Sequence, residues 1–115
     1  MELIAFLGAG KGTWGQVAGV VKNEDWDNII LIGDDFAKQF TLEKDFDFIE
    51  IGNGSLIELK EELLKKLQGK IKGTEVGLSI ASGNGKEHMA LISALLSLPV
   101  GIRFTALTKE GLVFL

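Results

Sequence analysis

Along this chain, short apolar runs that stop at glycine alternate with segments of helical periodicity, and that alternation leaves few folds open. Leu3 to Leu7 is almost wholly apolar and ends at Gly8, which predicts a strand buried on both faces. Thr13 to Lys22 follows, with Trp14, Val17, Ala18 and Val21 at helical spacing. Asn28 to Ile32 reads as a second buried strand, closed by Gly33, and Asp34 to Phe40 as a short helix. Phe46 to Ile51 mixes apolar residues with Asp47 and Glu50 before Gly52, a pattern suited to a strand near an edge.

The second half repeats the order. Ser55-Leu56-Ile57-Glu58 is a capping box, in which serine and glutamate each satisfy the other's backbone amide. Leu56, Leu59, Leu63 and Leu67 then form an apolar stripe, and Gly69 supplies a stop. Val76 to Ala81 predicts a fourth strand, running into Ser82-Gly83-Asn84-Gly85, and Lys86 to Ser97 a helix that is apolar most of the way round and closed by Pro99. A helix apolar on so many sides, in so small a protein, points to a subunit interface. Val100 to Leu107 and Leu112 to Leu115 flank Lys109-Glu110-Gly111 as a terminal hairpin.

Strand and helix in strict alternation build a parallel sheet with helices on both faces, because crossovers are right-handed. The expectation is a single α/β domain over residues 1–115: a three-layer, doubly wound, mostly parallel Rossmann-like sheet with the hairpin at its edge. At 115 residues there is room for one core.

Composition removes several chemistries. There is no cysteine and one histidine, so thiolate catalysis, disulfides and His- or Cys-rich metal sites are not expected. No metal and no cofactor is assigned. No apolar run is long enough for a membrane span, and the amino terminus lacks a signal-peptide pattern, which suggests a cytoplasmic protein away from membranes. A formal net charge of −4 argues against duplex nucleic acid as a partner. Glycine is in excess, 15 of 115 residues, and nine of them (8, 10, 12, 15, 33, 52, 54, 83 and 85) lie just beyond the carboxyl ends of the first four expected strands.

In a doubly wound sheet, ligands bind beyond those carboxyl ends, where the strand order reverses. With order 3-2-1-4-5 the crevice lies between the first and fourth strands, which end in the two richest glycine loops. One is Gly8-Ala9-Gly10-Lys11-Gly12-Thr13-Trp14; the other is Ser82-Gly83-Asn84-Gly85-Lys86. Glycine admits an anion close to the backbone, a helix N-terminus aims amides at it, and Lys11 and Lys86 add charge. The candidate ligand site is therefore Gly8, Gly10, Lys11, Gly12, Thr13, Trp14, Ser82, Gly83, Asn84, Gly85 and Lys86. Trp14 has two readings, a base-stacking surface or a core residue at a helix start. Asp34-Asp35 could hold a ribose or a metal, or could cap the next helix.

Known phosphate motifs fit poorly. Gly10-Lys11-Gly12-Thr13 resembles a P-loop ending, but the required earlier glycine is Ala5. Gly10-x-Gly12-x-x-Gly15 with Asp34 fits a dinucleotide fingerprint better, though Gly8-Ala9 intervene between strand and motif.

Two stretches resemble the CARF domains, the CRISPR-associated Rossmann-fold sensors of cyclic oligoadenylate. They are Phe6-Leu7-Gly8 through Thr13, and Leu78 through Lys86 with Met89-Ala90 following. The latter is similar to a Thr-Gly-Gly-Thr-Lys-type turn, with Ser82, Asn84 and Gly85 departing from it. The resemblance implies a homodimer whose paired crevices take a cyclic RNA messenger, with Thr13 and Lys86 in the roles of loop hydroxyl and turn lysine. Some members of the family open the ring without metal, the ribose 2′-hydroxyl attacking its own phosphate. Lys86 and His88 are then the catalytic candidates, His88 as general base or, as commonly for a lone histidine, a structural residue. Other expectations compatible with these residues are a small dinucleotide-binding module and a dimeric scaffold whose partner supplies the activity.

Overall fold

A computed structural model describes all 115 residues. Six strands form one sheet in the order β3-β2-β1-β4-β5-β6: β1 Glu2–Leu7, β2 Ile29–Gly33, β3 Asp47–Glu50, β4 Glu75–Ser79, β5 Gly101–Thr108 and β6 Gly111–Phe114. The first five are parallel, and only β6 runs antiparallel, paired with β5. Three α-helices, α1 Trp14–Lys22, α2 Leu56–Leu67 and α3 Gly85–Ser97, and a 3₁₀ turn at Asp35–Gln39 complete the chain.

The apolar runs are continuous because both faces of the sheet are covered. In β1, Ile4 and Phe6 join the core under α2 and α3, while Leu3, Ala5 and Leu7 join the core under α1 and the 3₁₀ turn. All six residues of β1 are buried, as its central place between β2 and β4 demands. β3 is an edge strand, and Ile49 is its one buried residue.

Several boundaries shift. β4 ends at Ser79 rather than Ala81, so Ile80 and Ala81 already belong to the loop above the sheet. α3 begins at Gly85, one residue before Lys86, because Asn84 is its cap. Leu59, Leu63 and Leu67 of α2 are buried, but Leu56 stands in the first turn, over the rim, and is exposed. On α3, Ala90, Leu91, Ala94 and Leu95 face the core, while Met89 (58% exposed) and Leu96 (62%) face outward.

Elsewhere glycine makes room for large side chains. A Cβ on Gly77 would stand 2.8 Å from the Trp26 ring, and one on Gly19 would meet Leu107. At the amino-terminal end of the sheet, the carboxylate of buried Glu2 accepts the amides of Lys72 (2.8 Å) and Gly73 (2.7 Å), fastening the loop that enters β4.

Candidate functional site

The strand order reverses between β1 and β4, and the two loops leaving these strands are in direct backbone contact. A Cβ on Gly8 would lie 2.6 Å from the Gly83 nitrogen and 2.7 Å from its Cα. Gly83 has φ +106°, and a Cβ there would meet His88 at 2.9 Å and Phe6 at 3.0 Å. Both positions therefore require glycine, one for close approach and one for conformation as well.

Ser82 is the clasp between the loops. Its fully buried hydroxyl oxygen accepts the Gly8 amide (2.8 Å) and the Thr13 hydroxyl (2.7 Å). Its carbonyl accepts a hydrogen bond from His88 Nε2 at 2.8 Å. A carbonyl cannot donate, so Nε2 carries the proton, and in the neutral ring Nδ1 holds the lone pair. The imidazole also meets Phe6 edge to face. His88 thus supports the 82–83 turn.

Trp14 is 6% exposed. Its indole N–H donates to the Gly8 carbonyl at 3.1 Å, and its ring packs on Phe36 and Phe40. The core reading of Trp14 holds in this geometry: its ring is covered by protein and underpins the first loop. Asp34 caps the 3₁₀ turn, its Oδ1 accepting the Ala37 amide at 3.2 Å, and Asp35 pairs with Lys38, which also pairs with Glu50.

The three helix N-termini at this end differ. α2 and α3 both open on capping boxes, Ser55 with Glu58 and Asn84 with Glu87, which place a carboxylate on the first turn. α1 has no acidic residue in its first turn, and Thr13, in the cap position, turns its hydroxyl to Ser82 instead. In the loop ahead of it, the amides of Ala9, Gly10, Lys11, Gly12 and Thr13 donate to no acceptor in the chain. Gly10 sits at φ +85°, and Gly12 has open space where a Cβ would be. The loop and uncapped helix start form the most electropositive backbone of the three.

A shallow cavity of about 240 Å³ lies between the loops, lined by Gly8, Ala9, Thr13, Gly83, Asn84 and Glu87. The two lysines diverge from it. Lys86 donates to the Gly54 carbonyl at 2.9 Å, tying α3 to the loop before α2, and Lys11 lies 6.0 Å from the Phe36 ring centroid on the other side. Gly8, Thr13, Ser82 and Gly83 are therefore brought together, with Asn84 at the rim. Gly10, Lys11 and Gly12 belong to the first loop but do not line the cavity, Gly85 opens α3 beside it, and Trp14 is buried below the first loop.

Sequence reading missed Glu87, Gly54 and Phe36. Glu87 was findable, since Asn84-x-x-Glu87 repeats the capping pattern seen at Ser55 to Glu58. Nothing local signals the Lys86–Gly54 bond, which spans 32 residues, or the exposure of Phe36.

The larger concavities lie elsewhere. One of about 400 Å³ sits at the opposite end of the sheet around Glu2, Asn28 and Lys72. Another, about 440 Å³ and almost wholly apolar, runs along Leu78, Ile80, Phe104 and Leu115. No group of histidine and acidic residues is arranged to hold a metal ion. No helix is long and apolar enough to cross a membrane.

The same fold recurs in the crystal structure of protein VC1899 from Vibrio cholerae, with a TM-score of 0.71 over 99% of this chain at 17% sequence identity. The match covers 33% of that protein, so the present chain spans about a third of its length. At this identity the likeness shows a shared α/β fold. No protein-family model and no curated protein matches the sequence.

Proposed function

We propose that this protein is a nucleotide-binding, sensor-like domain that takes a cyclic oligoadenylate or a related phosphate ligand at the crevice between β1 and β4. The observation that carries this reading is the meeting of Gly8 and Gly83, which holds a loop of five unpartnered amides beside an uncapped helix start. Such a loop suits an anion, since five amides without an acceptor in the chain are free to take one. The resemblance to CARF domains points the same way and adds the cyclic ligand.

A homodimer belongs to the proposal. Met89 and Leu96 leave an apolar strip on the outer side of α3, whose first turn forms one wall of the crevice, so a two-fold contact there sets two crevices near one another. Binding is favoured over ring opening. Within the cavity the ionised side chain is the Glu87 carboxylate, which opposes the added negative charge of a phosphorane-like transition state.

The test is direct. Purified protein is titrated with cyclic tetra-adenylate and cyclic hexa-adenylate, with binding and ring opening followed together. Tight binding without turnover is expected. Turnover would move the site to the ring-opening phosphodiesterase reading, and absence of binding with both rings would reject the cyclic ligand. Lys86 is held by the Gly54 carbonyl away from the cavity, so Lys86→Ala is expected to leave affinity nearly unchanged; a large loss would bring Lys86 into the site.

A further inference from the structure

The 3₁₀ turn after β2 and the residue that closes it carry two phenylalanines, Phe36 and Phe40, with different surroundings. Phe40 is 8% exposed and closes the core, meeting Trp14 edge to face at 5.8 Å and Phe46 at 6.3 Å. Phe36 is 41% exposed although its ring also touches Trp14, at 5.5 Å and a tilt of 49°. The core is sealed by Phe40, so the exposure of Phe36 is not required by packing. From the neighbouring loop after β1, Lys11 reaches over Phe36, its ammonium 6.0 Å from the ring centroid.

An exposed apolar ring with a mobile lysine ammonium over it, which a base can displace toward its own phosphate, matches a planar base joined to a phosphate. The unpartnered amides of Gly10, Lys11 and Gly12 lie immediately along the chain from that cation. We infer that Phe36 is a base-stacking surface on the β2 side of the first glycine loop, outside the cavity between the loops, with Lys11 receiving the phosphate next to the stacked base. The inference rests on the nucleotide reading above and assigns to Phe36 the role that buried Trp14 does not fill. Trp14 acts as the backing that fixes the Phe36 ring, which lowers the entropy lost when a base settles on it.

The experiment uses adenosine 5′-monophosphate and ribose 5-phosphate, which share the sugar phosphate and differ in the base. Tryptophan emission reports binding, because Trp14 touches Phe36. Wild-type protein should bind the nucleotide more tightly than the sugar phosphate. Phe36→Ala should weaken the nucleotide roughly tenfold and leave the sugar phosphate unchanged, while Phe36→Trp should preserve the difference. A thermal melt of each variant checks that it is folded. Equal affinity for the two probes in wild type, absence of nucleotide binding, or a Phe36→Ala variant that binds the nucleotide undiminished would overturn the inference. Cyclic rings that fail to bind while the base-dependent difference persists would overturn the cyclic-ligand reading and leave the role of Phe36 standing.

Discussion

Gly8 and Gly83, 75 residues apart in sequence, meet backbone to backbone above the sheet, leaving no volume for a side chain on Gly8. Gly8→Ala should therefore push the two loops apart. The expected loss is about 2 kcal/mol, in the range of overpacked cores, read as a lower urea midpoint. Gly12→Ala, where a Cβ meets nothing, is the matched control and should stay within about 0.5 kcal/mol. Equal effects would show that the contact is not tight.

Ser82→Ala removes the acceptor of the buried Gly8 amide and of the Thr13 hydroxyl. Leaving a buried amide unpaired costs roughly 1–3 kcal/mol. Hydrogen exchange at the Gly8 amide should accelerate, and the Gly83 resonance should shift with it. An unchanged exchange rate would show that Ser82 does not hold the loop.

His88 separates a supporting role from a chemical one. Glutamine also presents an N–H, so His88→Gln should keep most of the stability that His88→Ala loses, about 1 kcal/mol. If His88 only holds the Ser82 carbonyl, ligand affinity should follow the same order. Turnover abolished equally in both variants, with stability kept in His88→Gln, would assign chemistry to Nδ1.

Acid sensitivity has a local origin at the start of α2. Backbone and hydroxyl bonds from Ser55 hold the Glu58 carboxyl below its ordinary value of 4.5. A depressed folded pKa means that the stabilisation is present above the unfolded pKa and is lost as pH falls through the folded one. The bond from Lys66 depresses Glu62 in the same direction. Between pH 7 and pH 3, Glu58→Gln should therefore lose less stability than wild type, measured by urea denaturation at each pH. An identical acid loss would remove Glu58 as a contributor.

The proposed dimer rests on the exposed side chains of Met89 and Leu96. Met89→Glu with Leu96→Glu should raise the dimer dissociation constant at least about tenfold, since each side chain would bury on the order of 1.5 kcal/mol or more. Sedimentation equilibrium reads the change. A monomer in wild type at millimolar concentration, or a dimer indifferent to both charges, would sink this interface.

Sequence alone settled the order and type of every element. The runs at Leu3 to Leu7 and Asn28 to Ile32 are too short and too apolar to be surface helices, and the stripe of Leu59, Leu63 and Leu67 has one period. These are local signals, carried by residues a few positions apart. It also marked the glycine-rich edge of the sheet, since glycine collects where strands end. The working parts of that edge depend on distance through space. That Ser82 would grip Gly8 and Thr13, that Lys86 would turn to Gly54, and that Trp14 would sink while Phe36 stayed open follow from how the loops above β1, β2, β3 and β4 are set side by side. Strand order decides those neighbours, and no residue in one loop encodes which other loop the sheet will bring to it.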